Sequence, residues 1–297
     1  MLDESFATMG TIARVVRETD CGTDLAGVFA EIDRRLSRFD ASSELCRLNA
    51  DPRACVPASP LLRAAVLAAL RAASLTGGLV DPTLLGALRA VGYDQSRAHI
   101  EPPSLVPLLG AAPDRRPARP DPTVRWRTVR VDNEAGVIRR PPGVELDLGG
   151  SAKGWAADLI AAQLKRHGRR AVDCGGDLRV AAGRGAPWEV RVRHPITGEI
   201  AHALQVRAGG VASSGIDVRV WEGQNGDFGH HLIDPATGTP AWTGLITVTA
   251  LARTALDAEA LAKAALLLGP ADGRRLLAAR HGGVLVHDDG AVELVGS

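Results

Sequence analysis

Between Glu145 and Gly183 the chain reads ELDLGGSAKGWAADLIAAQLKRHGRRAVDCGGDLRVAAG, and few folds accommodate that order of patterns. Val144, Leu146 and Leu148 alternate with polar residues, which predicts a half-buried strand. Gly149 and Gly150 then let the backbone turn where a side chain would clash. From Ala152 the spacing is helical. Trp155, Leu159, Ala162 and Leu164 fall near one face, Lys165, Arg166 and His167 fill the last turn, and Gly168 closes it. Ala171 and Val172 begin a second strand, and Gly175-Gly176 makes a second turn. The predicted order is strand, turn, helix, strand, turn, strand.

Such a segment brings bare amides, a helix N-terminus and one cation, Lys153, to the same point. That combination suits a phosphate or pyrophosphate; the plainer alternative is two ordinary tight turns. Two familiar phosphate loops are excluded. Walker A needs Gly-Lys-Ser/Thr, whereas Gly154 and Trp155 follow Lys153, and the dinucleotide G-x-G-x-x-G is absent. Lys153 also stands out by scarcity. Of 35 Lys+Arg, three are lysines (Lys153, Lys165 and Lys263) and the rest arginines. A compact ammonium kept in a glycine turn suggests a specific use.

The run Asp147-Leu-Gly-Gly-Ser-Ala-Lys-Gly-Trp-Ala-Ala-Asp158, followed by Cys174-Gly-Gly-Asp177, resembles the signature of the ApbE family, the FAD:protein FMN transferases. The resemblance implies an α+β, T-fold-like architecture of mixed sheets with helices packed outside, as one domain over residues 1–297. Regular βα alternation does not run the length of the chain, which argues against a doubly wound sheet. It also implies FAD as substrate, with Gly150, Lys153, Asp158, Gly175 and Gly176 around the pyrophosphate.

Composition narrows the alternatives. Net charge is +1 and aromatics are 3%, with no basic patch interleaved with aromatics, so nucleic-acid binding is not expected. Hydrophobic content of 45% is enough for a substantial core. No run of about 18 apolar residues is present, and no positive n-region precedes an apolar run. Cys21, Cys46, Cys55 and Cys174 are scattered without C-x-x-C spacing, as in a reduced protein. A cytoplasmic protein is expected, although members of the resembled family are often exported lipoproteins.

Taken in order, Phe6 to Val16 reads as an opening strand interrupted by Met9-Gly10-Thr11, with Gly10 at a bulge or close approach. The resemblance places Met9 beside the flavin. Asp24 to Ser37 is an amphipathic helix. Leu36 to Leu45 resembles the family's S-x-aromatic and S-E-L segment, in which Phe39 stacks on a ring; the alternative is a core phenylalanine. Ser59 to Ser74 is a helix with Pro60 at its first position, and Thr83 to Ala90 another. The family's F-D-x-T turn is matched by Val80, Asp81 and Thr83, with Leu79 beside them as a further contact. Residues 94–127 form a Pro/Arg-rich surface excursion with a short helix near Leu105 to Leu109. Hairpins are expected at Thr128 to Ile138 and at Val284 to Val295.

Ser213-Ser214-Gly215 matches the family's T-S-G. Gly229-His230-His231-Leu232-Ile233-Asp234-Pro235 resembles its H-I-I-D-P motif. Adjacent histidines on a strand face opposite ways, so one of the two enters a given pocket. The resemblance makes that one His231, a candidate general base near neutral pH; the alternative is a structural histidine.

One part of the pattern breaks. The family carries A-D-A-L-A-T-A on the penultimate helix, where Asp and Thr bind a divalent cation with the carbonyl that here is Ala152's. Positions four apart are roughly 40° apart around a helix, so both reach one ion. This chain has Glu259 and Lys263 there. A protonated lysine has donors and no acceptor, so it is no ligand. Either Lys263 puts its ammonium where the metal would sit, paired with Glu259 beside a flavin pyrophosphate, or the two make a surface bridge of little weight. The expectation is FMN transfer from FAD to a Ser or Thr hydroxyl of an acceptor protein, with AMP release and Mg2+ as the family's ion. In that reaction Lys153 offsets charge and His231 is the base. The alternatives are a flavin-binding protein that has lost transfer and an FAD pyrophosphate hydrolase.

Overall fold

A computed structural model describes residues 1–20, 22–97, 100, 103–164, 168–222 and 228–296; Cys21 and the Lys165–His167 turn lie outside the described residues. The helices are α1 (Leu25–Leu36), α2 (Glu44–Ala50), α3 (Pro60–Leu75), α4 (Leu85–Ala90), α5 (Leu105–Ala111), α6 (Ala152–Gln163) and α7 (Ala255–Ala278). They accompany a sheet whose spatial order is Leu2–Thr8, Thr11–Arg17, Arg170–Cys174, Asp177–Ala181, Ala208–Gly215, Leu245–Ala252, Gly283–His287 and Val292–Val295. Every described pairing is antiparallel, within the expected α+β class.

Local chemistry explains the helices. Asp24 caps α1, its carboxylate accepting the Gly27 amide at 2.9 Å. The helix then buries Leu25, Phe29, Ile32 and Leu36 on one stripe, each such side chain contributing about 1.5–3 kcal/mol over exposure. Ser59 caps α3 by accepting the Leu62 amide at 3.2 Å, with Pro60 in the position where a missing N–H costs nothing. Helix α2 begins at the end of the 36–45 segment, read as a motif rather than an element. Ser43 starts it by accepting the Cys46 amide at 3.0 Å. Helix α7 runs across a kink at Gly269 (φ 78°) and Pro270.

Three expectations change. Met9 (φ 47°) and Gly10 (φ 65°) form the two-residue turn of a hairpin between Leu2–Thr8 and Thr11–Arg17 rather than a bulge in one strand. From residue 103 to 127 the excursion is anchored in the core rather than lying on the surface: Leu108, Ala118, Asp121 and Trp126 are buried. Finally, Val144–Leu148 joins no sheet. Leu146 is fully buried, yet its backbone partner is a side chain. Asn49 donates to its carbonyl and accepts from its amide, both at 2.8 Å. The Asp147 amide donates to the Pro82 carbonyl at 2.8 Å. The alternation correctly marked the buried residues, but not the partner that satisfies them.

Two close approaches place α7. A Cβ on Gly154 of α6 would lie 2.6 Å from the Ala255 carbonyl, and one on Gly210 would lie 2.2 Å from that of Thr254. Both positions must be glycine for α7 to begin where it does. The other face of the sheet is covered by the hairpin Trp188–Arg193 and Ile200–Val206, whose Trp188, Val190 and Leu204 pack on Ala171, Val180 and Val211. Among the described residues, no helix is long and apolar enough to cross a membrane.

Asn49→Ala leaves both Leu146 backbone groups buried without partners. Urea unfolding should show a loss of about 1–3 kcal/mol, and a change under about 0.5 kcal/mol would mean that water replaces the amide.

Candidate active site

The hairpin turn, the Gly149-Gly150 turn, the start of α6 and the His231 segment converge on one cavity of about 530 Å³, within the usual range for a ligand pocket. Of the sequence-derived candidates, Met9, Phe39, Leu79, Val80, Asp81, Gly150, Ala152, Lys153, Gly175, Ser213, Ser214, Gly215, His231 and Lys263 line it. Asp158, Gly176 and Glu259 do not. Asp158 caps α7 instead, its two carboxylate oxygens accepting the Ala255 and Leu256 amides at 3.0 Å each. Glu259 lies behind the wall, fully buried.

At the N-terminal end of α6 the charges are layered. The Lys153 ammonium pairs with Asp177, and the Lys263 ammonium donates to Glu259 Oε1 at 2.8 Å. The other Glu259 oxygen accepts the Gly154 amide at 2.9 Å, satisfying one of the donors that a helix N-terminus leaves free. The Lys153 and Lys263 side chains are 27% and 12% exposed, whereas Asp177 and Glu259 are at 0%. The cations therefore face the cavity and the carboxylates stand behind them. Burial also overturns the surface-bridge reading of Lys263 and Glu259.

The titration behaviour follows from this layering. Burial, with the Glu259 charge nearby, pushes the Asp177 carboxyl up to about 6 against the pull of Lys153. Burial opposes the Lys153 charge, but Asp177 and Glu259 outweigh it and raise its pKa, so it stays an ammonium. Burial likewise opposes the Glu259 carboxylate, and Lys263 and Lys153 more than offset that, so its pKa falls.

Another part of the wall is aromatic. Arg38 lies over Phe39 at 4.1 Å and over Tyr93 at 4.3 Å. Tyr93 stacks on Trp221 at 5.5 Å and meets His231 edge-on at 6.3 Å. Phe39 is 39% exposed, so it is no core phenylalanine. Arg38 forms a buried ion pair with Asp147 at 2.8 Å. Arg219 donates to the Gly10 carbonyl at 3.0 Å, tying the hairpin turn to the cavity rim. Arg38 Nη2, Asp81 Oδ2 and Ser214 Oγ line the cavity region buried and without a hydrogen-bond partner among the described residues. Such groups are rare in a finished core and common where a ligand completes the bonding. The sequence reading did not single out Arg38, Tyr93 or Asp147 as site residues. Tyr93 is the chain's sole tyrosine, which was the available signal.

The two histidines diverge as expected, although the strand ends at His230. His230 is fully buried edge-on to Trp242 at 4.9 Å, and burial takes its pKa down to about 3. His231 enters the cavity wall. Burial first, then the neighbouring His230 and Lys263, hold it well below the usual value. Its Nδ1 lies 3.4 Å from the Arg219 carbonyl. A carbonyl only accepts, so Nδ1 carries the proton and Nε2 is the acceptor.

An antiparallel α+β frame thus carries a glycine-bordered pocket lined by both lysine ammoniums and aromatic rings, chemistry that suits a phosphate-bearing ring compound. The ApbE family profile matches residues 9–286, and the chain belongs to that family. A Haemophilus influenzae protein named FAD:protein FMN transferase is 30% identical over 268 residues, 83% of this chain and 72% of that one. One of the same name from Klebsiella pneumoniae is 31% identical over 297 residues, 91% of this chain and 79% of its own. The crystal structure of the Thermotoga maritima ApbE protein superposes with a TM-score of 0.77 at 26% identity, covering 99% of this chain and 96% of that one.

The fully buried His230 and the half-buried His231 make stability depend on pH. Unfolded, they titrate near 6.5; folded, they stay neutral far below that. Between those values the unfolded chain binds more protons, so stability falls as pH drops below about 6.5, by up to about 1.4 kcal/mol per pH unit for each histidine. Urea titrations at pH 7 and pH 5 should show this loss, and His230→Gln should shrink it. An unchanged slope in that variant would assign the loss to other groups.

Proposed function

We propose that this chain transfers FMN from FAD to a Ser or Thr hydroxyl of an acceptor protein and releases AMP. The observation that carries the reading is that one cavity is lined by the two lysines Lys153 and Lys263, the neutral His231 and the aromatic rings of Phe39 and Tyr93. The aromatic rings suit a flat ring system and the ammoniums suit the pyrophosphate. Cys46, Cys55 and Cys174 are free thiols, which supports a cytoplasmic setting.

In the reaction, the acceptor hydroxyl oxygen attacks the FMN phosphorus. The bond from that phosphorus to the bridging oxygen breaks, and AMP departs with that oxygen. His231 Nε2 takes the hydroxyl proton, since a depressed pKa leaves it unprotonated at pH 7. Lys153 offsets charge on the phosphoryl oxygens, held cationic by Asp177. Positioning and charge neutralisation dominate chemistry of this kind.

The family resemblance also implies Mg2+ on the Ala152 carbonyl and the residue at 259. The donor set here does not fit that ion. One Glu259 oxygen accepts the Gly154 amide and the other accepts the Lys263 ammonium, and an ammonium at a ligand position repels a cation. No group of three or more His, Cys, Asp or Glu suited to a metal is found among the described residues. No step above runs through a metal. The carrier alternative rests on the Lys263 change, whereas His231, Lys153 and Lys263 all line the cavity, which supports transfer.

The test is incubation of the protein with FAD and a hydroxyl-bearing acceptor polypeptide, following AMP by chromatography and flavin on the acceptor by mass. His231→Ala should lower the rate by about 10²–10⁴-fold while FAD still binds. AMP release with no flavin on any acceptor would move the chain to the hydrolase reading, and absence of FAD binding would remove both.

A further inference from the structure

The misfit at Glu259 and Lys263 is informative in its own right. A buried ion pair rarely stabilises a fold better than well-packed apolar residues, so stability alone does not account for Lys263 on a buried stretch of α7. Its placement does. The Lys263 side chain passes the Gly150 turn, where a Cβ would meet its Cε at 3.9 Å. It lines the cavity together with Lys153, and both ammoniums act on the same two carboxylates, Asp177 and Glu259. Glu259 fixes it from behind at 2.8 Å, and the Gly154 amide fixes Glu259 in turn. The arrangement aims one positive charge forward, and the balancing charge has no exposed surface.

We propose that the Lys263 ammonium, held by Glu259, is the second cation of the pyrophosphate subsite, so that this chain binds the FAD pyrophosphate without a divalent metal ion. The inference rests on the FAD reading above and deepens it. Lys153 and Lys263 then flank the pyrophosphate as a pair, each backed by its own buried carboxylate. Glu259 acts as a positioning residue: it holds the ammonium and bonds the first turn of α6 at once.

The experiment is a titration of the full chain with FAD, followed by flavin fluorescence, after dialysis against EDTA and again with excess Mg2+. The unaltered protein should bind FAD with affinities that agree within about two-fold in the two conditions. Removing Lys263 alone strands a buried carboxylate and threatens the fold, so the decisive variant is the double change Lys263→Met with Glu259→Gln. Its amide oxygen still accepts from Gly154, and the site loses no net charge. It should bind FAD at least about ten-fold more weakly in EDTA, yet bind riboflavin, which has no phosphate, as the unaltered protein does. A second pair, Lys263→Thr with Glu259→Asp, restores acceptor chemistry for an ion, and its FAD affinity should rise on adding Mg2+.

Two results overturn the inference: FAD binding by the unaltered protein that strengthens about ten-fold or more with Mg2+, or a double variant that binds FAD undiminished in EDTA. Failure of the unaltered protein to bind FAD in either condition overturns the FAD reading itself, and this inference with it.

Discussion

A side chain at position 154 would bring its Cβ to 2.6 Å from the Ala255 carbonyl, so the first turns of α6 and α7 meet backbone to backbone. Much of the site depends on that contact. It brings Glu259 within reach of the Gly154 amide, and Glu259 then holds Lys263. Asp158 fastens the same junction from α6 by taking the two leading amides of α7. Residues remote in sequence thus become one rigid corner, with backbone amides and carboxylates serving as its joints. A site built this way is preorganised, because its charges are held by groups with little rotational freedom left.

The corner is also polarised. Water is kept from Asp177 and Glu259 but reaches their lysine partners. A carboxylate in such a place is costly unless paired, which is why the Asp177 carboxyl titrates near 6 even beside a lysine. The carboxylates hold the cations in position and keep them charged, and the cavity meets the positive ends first. Elsewhere on the cavity wall, Arg38 lies against Phe39 and Tyr93 as well as Asp147. It joins the aromatic wall to the glycine-turn segment.

Much of this was legible in the sequence because it is encoded locally. Asp24, Ser59-Pro60 and the Gly149-Gly150 turn announce their elements through capping and backbone freedom. Other parts depend on partners far along the chain, which periodicity cannot report. Val144–Leu148 alternates like a strand, but Asn49, distant in sequence, supplies the hydrogen bonds that a neighbouring strand would give. Asp158 stands in the right motif and serves a helix terminus rather than the cavity. The aromatic wall joins Phe39, Tyr93, Trp221 and His231 from separate segments, and no spacing rule links them. The Lys263 question was posed by the sequence, and the burial of Glu259 answered which kind of pair it makes.

The pairing of Lys153 with Asp177 has a consequence for chemical selectivity. A primary amine is a nucleophile only as the free base, and a lysine placed beside an activated diphosphate is, in principle, a competitor for the phosphorus. Asp177 and Glu259 raise the Lys153 pKa above its ordinary value, so its lone pair is tied up in an N–H bond at any physiological pH. The side chain can lie against a reactive phosphoanhydride and attract it without capturing it as a phosphoramidate. The buried carboxylate behind this lysine thereby keeps its free-amine fraction below even the small one of an ordinary lysine.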